Sequence, residues 1–345
     1  MAVSSTIGSS EQRAPLAHNS AGSDRRTALA VLCPVYDDWP SFRELVREIA
    51  AVAPRLGSAV TIIAVDDGSS SPPQALDHAD CRGLERVEVI RLLTNLGHQR
   101  AIATGLAELR AGGGFDAVVV MDADGEDRPE DLPRLLELHR ANPDKVLVVN
   151  RAKRTEGLLF RALYALYKAL FWLLTGTRIR NGNFTLAPRG ELAGVLSSAS
   201  VWNNFAGSVR RARVPKLELS LPRGRRYAGK SKMNLVSLVV HGLSAVSVYA
   251  DVVMVRLLVL SGGMALLSLL ALITVVVVRY STDLAIPGWA TNAAGLALVM
   301  LVQNVGLSLI ASFILLSLRS QPTFLPLIDA RRYVESRETL YAKPQ

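Results

Sequence analysis

The stretch Ala117–Glu130, AVVVMDADGEDRPE, runs from an apolar strand pattern straight into four carboxylates, Asp122, Asp124, Glu126 and Asp127. An Asp-Ala-Asp at the C-terminal end of a strand suits a divalent cation carrying a diphosphate, because a turn can converge two hard oxygen ligands on one ion. A second pair, Asp66 and Asp67 in TIIAVDDGSS, ends another apolar strand in the same way. Open α/β sheets bind ligands where their strands finish. Either motif alone is equally a turn after a strand, since Asp, Gly and Ser all favour turns. Together, inside one region of alternating strands and helices, they point to a nucleotide-diphosphate site.

The elements that must position these carboxylates are legible from residue 28 onward. Strand patterns ALAVLCPVY (28–36), AVTIIAVDD (59–67), VEVIRL (87–92), AVVVMDA (117–123) and KVLVVNR (145–151) alternate with helix patterns at 41–56, 99–110 and 129–140. Ser41 stands where it can cap the first helix. This order predicts an α/β domain with a mainly parallel sheet, extended by NFTLAPR (183–189) and VPKLELSLP (214–222). No GxGxxG follows the first strand, so the dinucleotide fingerprint of a dehydrogenase is missing. Two cysteines, Cys33 and Cys81, give no disulfide framework, in keeping with a reducing compartment.

Half of the 345 residues are hydrophobic, and they are unevenly spread. Leu257–Val278 and Ala290–Leu318 are uncharged runs of 22 and 29 residues, each long enough to cross a hydrocarbon core of ~30 Å. They predict a transmembrane hairpin over 257–318, with Gln303 and Asn304 turned toward a neighbouring helix. Basic residues lie outside it, Arg256 and a Lys/Arg cluster before, Arg319, Arg331, Arg332 and Arg337 after, which puts both chain ends in the cytoplasm. Residues 1–27, rich in Ser, Ala and Gly, read as a disordered tail, 233–256 as a juxtamembrane helix and 319–345 as a cytoplasmic tail. Residues 158–174 are apolar around most of a helix but carry Arg161 and Lys168 on one face; they suit a helix lying in the membrane interface, a core helix of the domain being the other reading. Of the net charge of +9, much is local: Arg210–Lys232 holds nine Lys/Arg and a single acid, Glu218. Its place beside the hairpin favours anionic lipid or a phosphate substrate over nucleic acid.

Gly224–Ser231, GRRYAGKS, fits the P-loop pattern GxxxxGK[ST] letter for letter. A P-loop follows a buried strand, however, and the strand here alternates and carries charges. A basic loop closing over a diphosphate is the better reading. With PVYDD at 34–38, VDDGS at 65–69, NLGHQRAI at 95–102, DADGEDRPE at 122–130 and RYAGKSKM at 226–233, in that order, the chain resembles the polyprenyl-phosphate sugar transferases of glycosyltransferase family 2 over roughly residues 28–320. That resemblance implies a GT-A fold: a Rossmann-like α/β nucleotide-sugar domain over 28–232, followed by interfacial helices and a two-helix transmembrane hairpin.

The resemblance also implies roles. Pro34, Tyr36, Asp38 and Asp67, with Asp66 beside them, line the nucleotide pocket, Asp37-Asp38 standing where the family more often has Asn-Glu. Asp122, Asp124 and Glu126 hold Mg2+ or Mn2+, Glu126 replacing a frequent Gln. Arg151 and Arg161 meet the acceptor phosphate, and Arg226, Ser231 and Lys232 belong to a mobile loop over the donor. Asp124, Arg161 and Arg226 lie nearest the chemistry, and NGNF at 181–184 replaces the usual Ser-Gly-Phe. The implied activity is inverting transfer of a sugar from a nucleoside diphosphate sugar to a polyprenyl phosphate of the undecaprenyl type. It would take place at the cytoplasmic face of the inner membrane, in contact with membrane lipid and without nucleic acid; a homo-oligomer is compatible with the sequence. Two alternatives stay open: a polysaccharide or glycolipid synthase of the same superfamily, although no Gln-x-x-Arg-Trp occurs, and a non-catalytic membrane-anchored binding protein.

Overall fold

The structure, a computed structural model, covers residues 27–151, 158–178, 182–227, 235–282, 288–320 and 324–344. Its strands are β1 (Thr27–Val35), β2 (Ser58–Asp66), β3 (Arg86–Leu92), β4 (Ala117–Val120), β5 (Val146–Arg151), β6 (Thr185–Pro188), β7 (Lys216–Leu221) and β8 (Val334–Ala342). The helices are α1 (Trp39–Leu56), α2 (His98–Gly112), α3 (Leu132–Ala141), α4 (Leu158–Thr175), α5 (Arg189–Leu196), α6 (Phe205–Arg211), α7 (Leu235–Ser247), α8 (Ala250–Ser281), α9 (Trp289–Ser320) and α10 (Pro326–Asp329).

All eight strands form one sheet in the order β7-β5-β6-β4-β1-β2-β3-β8. Successive residues of a strand face opposite sides, and β1 shows the consequence. Leu29, Val31, Cys33 and Val35 pack with Phe42 and Leu45 of α1 and Leu135 of α3, while Ala30 and Leu32 meet Ile102 and Leu106 of α2. Burial on both faces explains why these strands read as continuous apolar runs. The sheet is mixed rather than mainly parallel. β4, β1, β2 and β3 are parallel neighbours, as are β5 and β7, but β6 enters antiparallel between β4 and β5, and β8 antiparallel beside β3. Periodicity marks a strand without giving its direction. The first helix also begins earlier than expected: Asp38 is its cap residue, and Ser41 instead donates its hydroxyl to Asp38 Oδ1 at 2.8 Å.

α8 and α9 each have 32 residues, a length of about 48 Å. Only 17% and 6% of their most apolar windows are buried, which sets them apart from core helices of a soluble domain. They pair with each other, Ser261 Oγ lying 2.8 Å from Ser308 Oγ. Gln303 is exposed and Asn304 donates to Met300 O of its own helix at 2.8 Å, so neither bridges the two helices. The juxtamembrane stretch is divided, with α7 ending at Ser247 and α8 starting at Ala250 rather than Leu257. α4 buries Phe171 against Tyr249 and leaves Leu166, Leu170 and Leu173 exposed at i, i+4 and i+7, a single apolar stripe.

The segment expected as a C-terminal tail comes back to the sheet. Beyond α9, Phe324 and Tyr333 stack on Trp202 at ring-centroid distances of 4.4 and 5.5 Å, and β8 completes the edge beside β3. Arg337 meets buried Glu88 at 2.6 Å and Arg331 meets Glu108 of α2 at 2.7 Å. Both ends of the α8–α9 hairpin thus pack against one domain, Asp251 of α8 on Arg211 and β8 on β3.

Trp202 is the hub of this return. Trp202→Ala is expected to cost about 2–4 kcal/mol from lost packing and ring contacts, read as a lower thermal midpoint of the detergent-solubilised protein and faster proteolysis after α9.

Candidate active site

β4 ends at Val120, short of the strand to Ala123 that the sequence predicts, and the chain turns at the carboxyl edge of the sheet. Internal bonds shape that turn. Asp127, buried, accepts the Asp122 N–H at Oδ2 (2.9 Å), and Asp124 Oδ1 accepts the Glu126 N–H (3.0 Å). Gly125 sits at φ 85°, and a Cβ there would meet Arg225 O at 2.8 Å. Only a glycine allows this close approach.

Two carboxylates face outward from the turn. Asp122 Oδ1 lies 3.2 Å from His98 Nε2 and accepts from Asn183 Nδ2 at 3.3 Å; Asp124 Oδ2 lies 2.7 Å from Arg226 Nη2. His98 opens α2, and the head of that helix is fixed by Asp67, which accepts the Leu96 N–H at 2.7 Å and the Gly97 N–H at 2.9 Å. A carboxylate is well placed on the free N–H groups before a helix. The neighbouring side chains continue the network: Gln99 donates to Asn183 Oδ1 (3.3 Å) and accepts the Phe205 N–H (2.6 Å), and Asn183 Nδ2 lies 2.9 Å from His98 Nε2.

Burial and neighbouring charges shift the titration of this cluster in both directions. Burial raises the Asp124 pKa, and the Asp122 charge raises it further. Desolvation works against a charged His98 ring, but the Asp122 hydrogen bond and the surrounding carboxylates outweigh it and raise its pKa. Burial likewise raises Asp67 above the usual carboxylate range despite its two N–H donors. Glu126 goes the other way: burial is overcome by Arg223 and Arg226, and its pKa is lowered.

Most of the expected site residues fall among the described residues. Asp122, Asp124 and Arg226 come together. Glu126, expected as a third metal ligand, is buried with its two oxygens on Arg223 and on Arg226 Nε (3.1 Å). Asp66 is fully buried, accepting from Ser69 N (2.9 Å) and Arg91 Nε (3.2 Å), so it braces the pocket wall instead of touching its contents. Pro34 is in β1 opposite Val65, and Tyr36 is exposed at its end. Asp37 adopts φ 47° and accepts from Ser70 N and Ser70 Oγ, both at 2.9 Å, clipping the loop after β1 to the loop after β2. Arg151 closes β5 and Arg161 lies near the start of α4; their side chains, and the whole of Ser231 and Lys232, lie outside the described residues. Gly224 spends its N–H on Glu126 O at 2.9 Å, which removes it from the phosphate cradle a P-loop would need.

His98, Gln99, Asn183 and Arg223 are the contributors that motif reading passed over. His98 and Gln99 stand inside NLGHQRAI and Asn183 inside NGNF, so the strings were visible but their convergence was not.

Among the described residues, no three His, Cys, Asp or Glu side chains are gathered in metal-ligating geometry. The pair Asp122 and Asp124 nonetheless offers the hard oxygens that a divalent cation takes, and such an ion would offset the burial and like charge that raise Asp124. Asn183→Ala removes one of the contacts that orient Asp122. It is expected to raise the Mn2+ concentration for half-maximal activity roughly tenfold, measured by metal titration, with the thermal midpoint little changed.

Comparison with known proteins gives a consistent set of likenesses. Residues 30–191 match the family described as Glycosyl transferase family 2. The chain is 26% identical over 297 residues to the undecaprenyl-phosphate 4-deoxy-4-formamido-L-arabinose transferase of Edwardsiella ictaluri (strain 93-146), covering 83% of this chain and 88% of the relative. To the protein of the same name from Sodalis glossinidius (strain morsitans) it is 29% identical over 215 residues, 61% of this chain and 64% of the relative. Among solved structures, glucosyl-3-phosphoglycerate synthase from Mycobacterium tuberculosis, crystallised with Mn2+, UDP-glucose and phosphoglyceric acid, aligns with TM-score 0.46 and 16% identity over 66% of this chain and 80% of that one.

Proposed function

We propose, from the premise that this chain carries a glycosyltransferase family 2 domain and is a glycosyltransferase, that it transfers a sugar with inversion from a nucleoside diphosphate sugar to a polyprenyl monophosphate of the undecaprenyl type. The observation that carries this reading is the pairing of Asp122 and Asp124 at the end of β4 with Arg226, delivered from the loop after β7 to 2.7 Å from Asp124. Two anions and a cation at the carboxyl ends of the sheet's central parallel strands are a site for a diphosphate. The names of the curated relatives agree with the acceptor.

In this reading an oxygen of the acceptor phosphate attacks the anomeric carbon, and the bond from that carbon to the diphosphate oxygen breaks, its electron pair leaving with the nucleoside diphosphate. The attacking oxygen is already anionic near neutral pH, so no general base is required. Position and charge then do the catalysis. Asp122 and Asp124 would hold Mg2+ or Mn2+, which when bound neutralises the leaving diphosphate. Asn183 and His98 keep Asp122 oriented, and Asp67 fixes the head of α2 that carries His98. Arg226 adds a positive charge beside the same carboxylates. Arg161, near the start of α4, is assigned to the acceptor phosphate, and the exposed stripe Leu166, Leu170 and Leu173 lies along the bilayer surface.

We assign the domain and both chain ends to one side of the membrane, the cytoplasmic one. The basic residues flanking the hairpin support this, as does the return of β8 to the sheet.

The test uses full-length protein in nanodiscs with undecaprenyl phosphate, Mn2+ and a panel of radiolabelled UDP- and GDP-sugars. One donor is expected to give a lipid product labile to mild acid, lost with chelator and lowered at least about a hundredfold by Asp124→Asn. Label in an acid-stable polymer would replace this reading with a synthase. Tight donor binding without product would replace it with a binding protein.

A further inference from the structure

Glu126 is hard to account for as a metal ligand. It is 3% exposed, its two carboxylate oxygens are met by Arg223 and by Arg226 Nε, and both arginines come from the loop after β7, about a hundred residues away in sequence. A buried carboxylate with two charge-assisted partners is strongly held, and removing either partner is costly.

The backbone tells the same story. Gly224 N–H donates to Glu126 O at 2.9 Å and Tyr227 N–H donates to Asp124 O at 3.0 Å, so residues 224–227 are tied to 124–126 as a short ladder. The approach is close enough that a Cβ on Gly224 would stand 2.2 Å from Gly125 O. At the far end the Tyr227 hydroxyl donates to Glu48 Oε2 of α1 at 2.7 Å. The guanidinium of Arg226 is thus divided: Nε is on Glu126 at 3.1 Å and Nη2 is on Asp124 at 2.7 Å.

We propose that Glu126 is a positioning residue that holds the Arg223–Tyr227 loop against the aspartate turn and aims Arg226 at the donor diphosphate. The inference rests on the donor site assigned above. A cation held by Asp124 would compete with Nη2 of Arg226, and the bond from Nε to Glu126 would keep the guanidinium beside the diphosphate. Glu126 acts on the donor through Arg226, and Arg223 serves as the second post of the clamp.

Three measurements on full-length protein in nanodiscs test this. Binding of UDP and of GDP with Mn2+ needs no acceptor, so it stands even if the acceptor assignment fails. Glu126→Gln and Arg223→Met are each expected to weaken nucleotide binding roughly tenfold, and the double variant to be no weaker than the worse single one. In turnover, once a donor is known, the donor KM rises by the same factor while kcat and the Mn2+ concentration for half-activation stay within about twofold. In ligand-free protein, amide hydrogen exchange across 224–227 is expected to accelerate in both variants with the central strands unchanged. A tenfold shift in the Mn2+ requirement of Glu126→Gln would overturn the proposal and make Glu126 a ligand. Effects of the two substitutions that multiply, or exchange across 224–227 that stays as slow as in the unaltered protein, would also overturn it. Arg223 is partly exposed, so Arg223→Met reports on the clamp even if Glu126→Gln fails to fold.

Discussion

Four carboxylates leave the end of β4 within six residues, and so much like charge is tolerable in a half-buried turn only where each oxygen meets a donor. Much of the architecture around the site answers that demand. Asp127 is turned inward onto the Asp122 N–H, Glu126 is paired with two arginines, Asp122 faces His98 and Asn183, and Asp124 faces Arg226. The donors arrive from α2, from the stretch before β6 and from the loop after β7. The site can therefore form only when the sheet, α2 and the late loop are all in place. Asp67 and Asp66 are part of the same requirement. They spend their charge on backbone N–H groups and Arg91, and so fix the loops that frame the pocket.

The second constraint is the membrane. A reaction between a soluble donor and a lipid-borne phosphate needs the carboxyl edge of the sheet held at a fixed distance from the bilayer. The chain meets this by leaving the domain through α7, running out and back through α8 and α9, and rejoining the sheet as β8. A single anchor would leave the domain free to swing about its linker. Here the Trp202, Phe324 and Tyr333 cluster and the ion pairs of Arg331 and Arg337 fasten the returning chain to α2 and β3. α2 also carries His98, so the membrane return and the site share one helix.

Much of this was legible in the sequence. The central strands read plainly because burial on both faces leaves an unbroken apolar run, and α8 and α9 read plainly from two long uncharged stretches. The acidic turn and the loop basic residues were visible as types. What the sequence did not expose was pairing. β8, VESRETLYA, is polar because it is an edge strand, and its attachment comes from backbone bonds to β3 and from Arg337 reaching Glu88. The resemblance implies a ligand role for Glu126, and the sequence does not show that its neighbours in space are Arg223 and Arg226. Glu48 gave no signal, since a single half-buried helix glutamate has no periodicity to betray it, and Asn183 was visible only as part of NGNF.

The proposed function requires Asp122 and Asp124 to seat the cation and the diphosphate. Anomalous diffraction at the manganese edge, from crystals of the full-length protein grown with Mn2+ and UDP, addresses this directly. One strong peak at roughly 2.0–2.3 Å from an oxygen of Asp124, with diphosphate density between it and Arg226, is the result the account requires. A peak held by other residues, or nucleotide bound with its phosphates turned away from the aspartate turn, would contradict it.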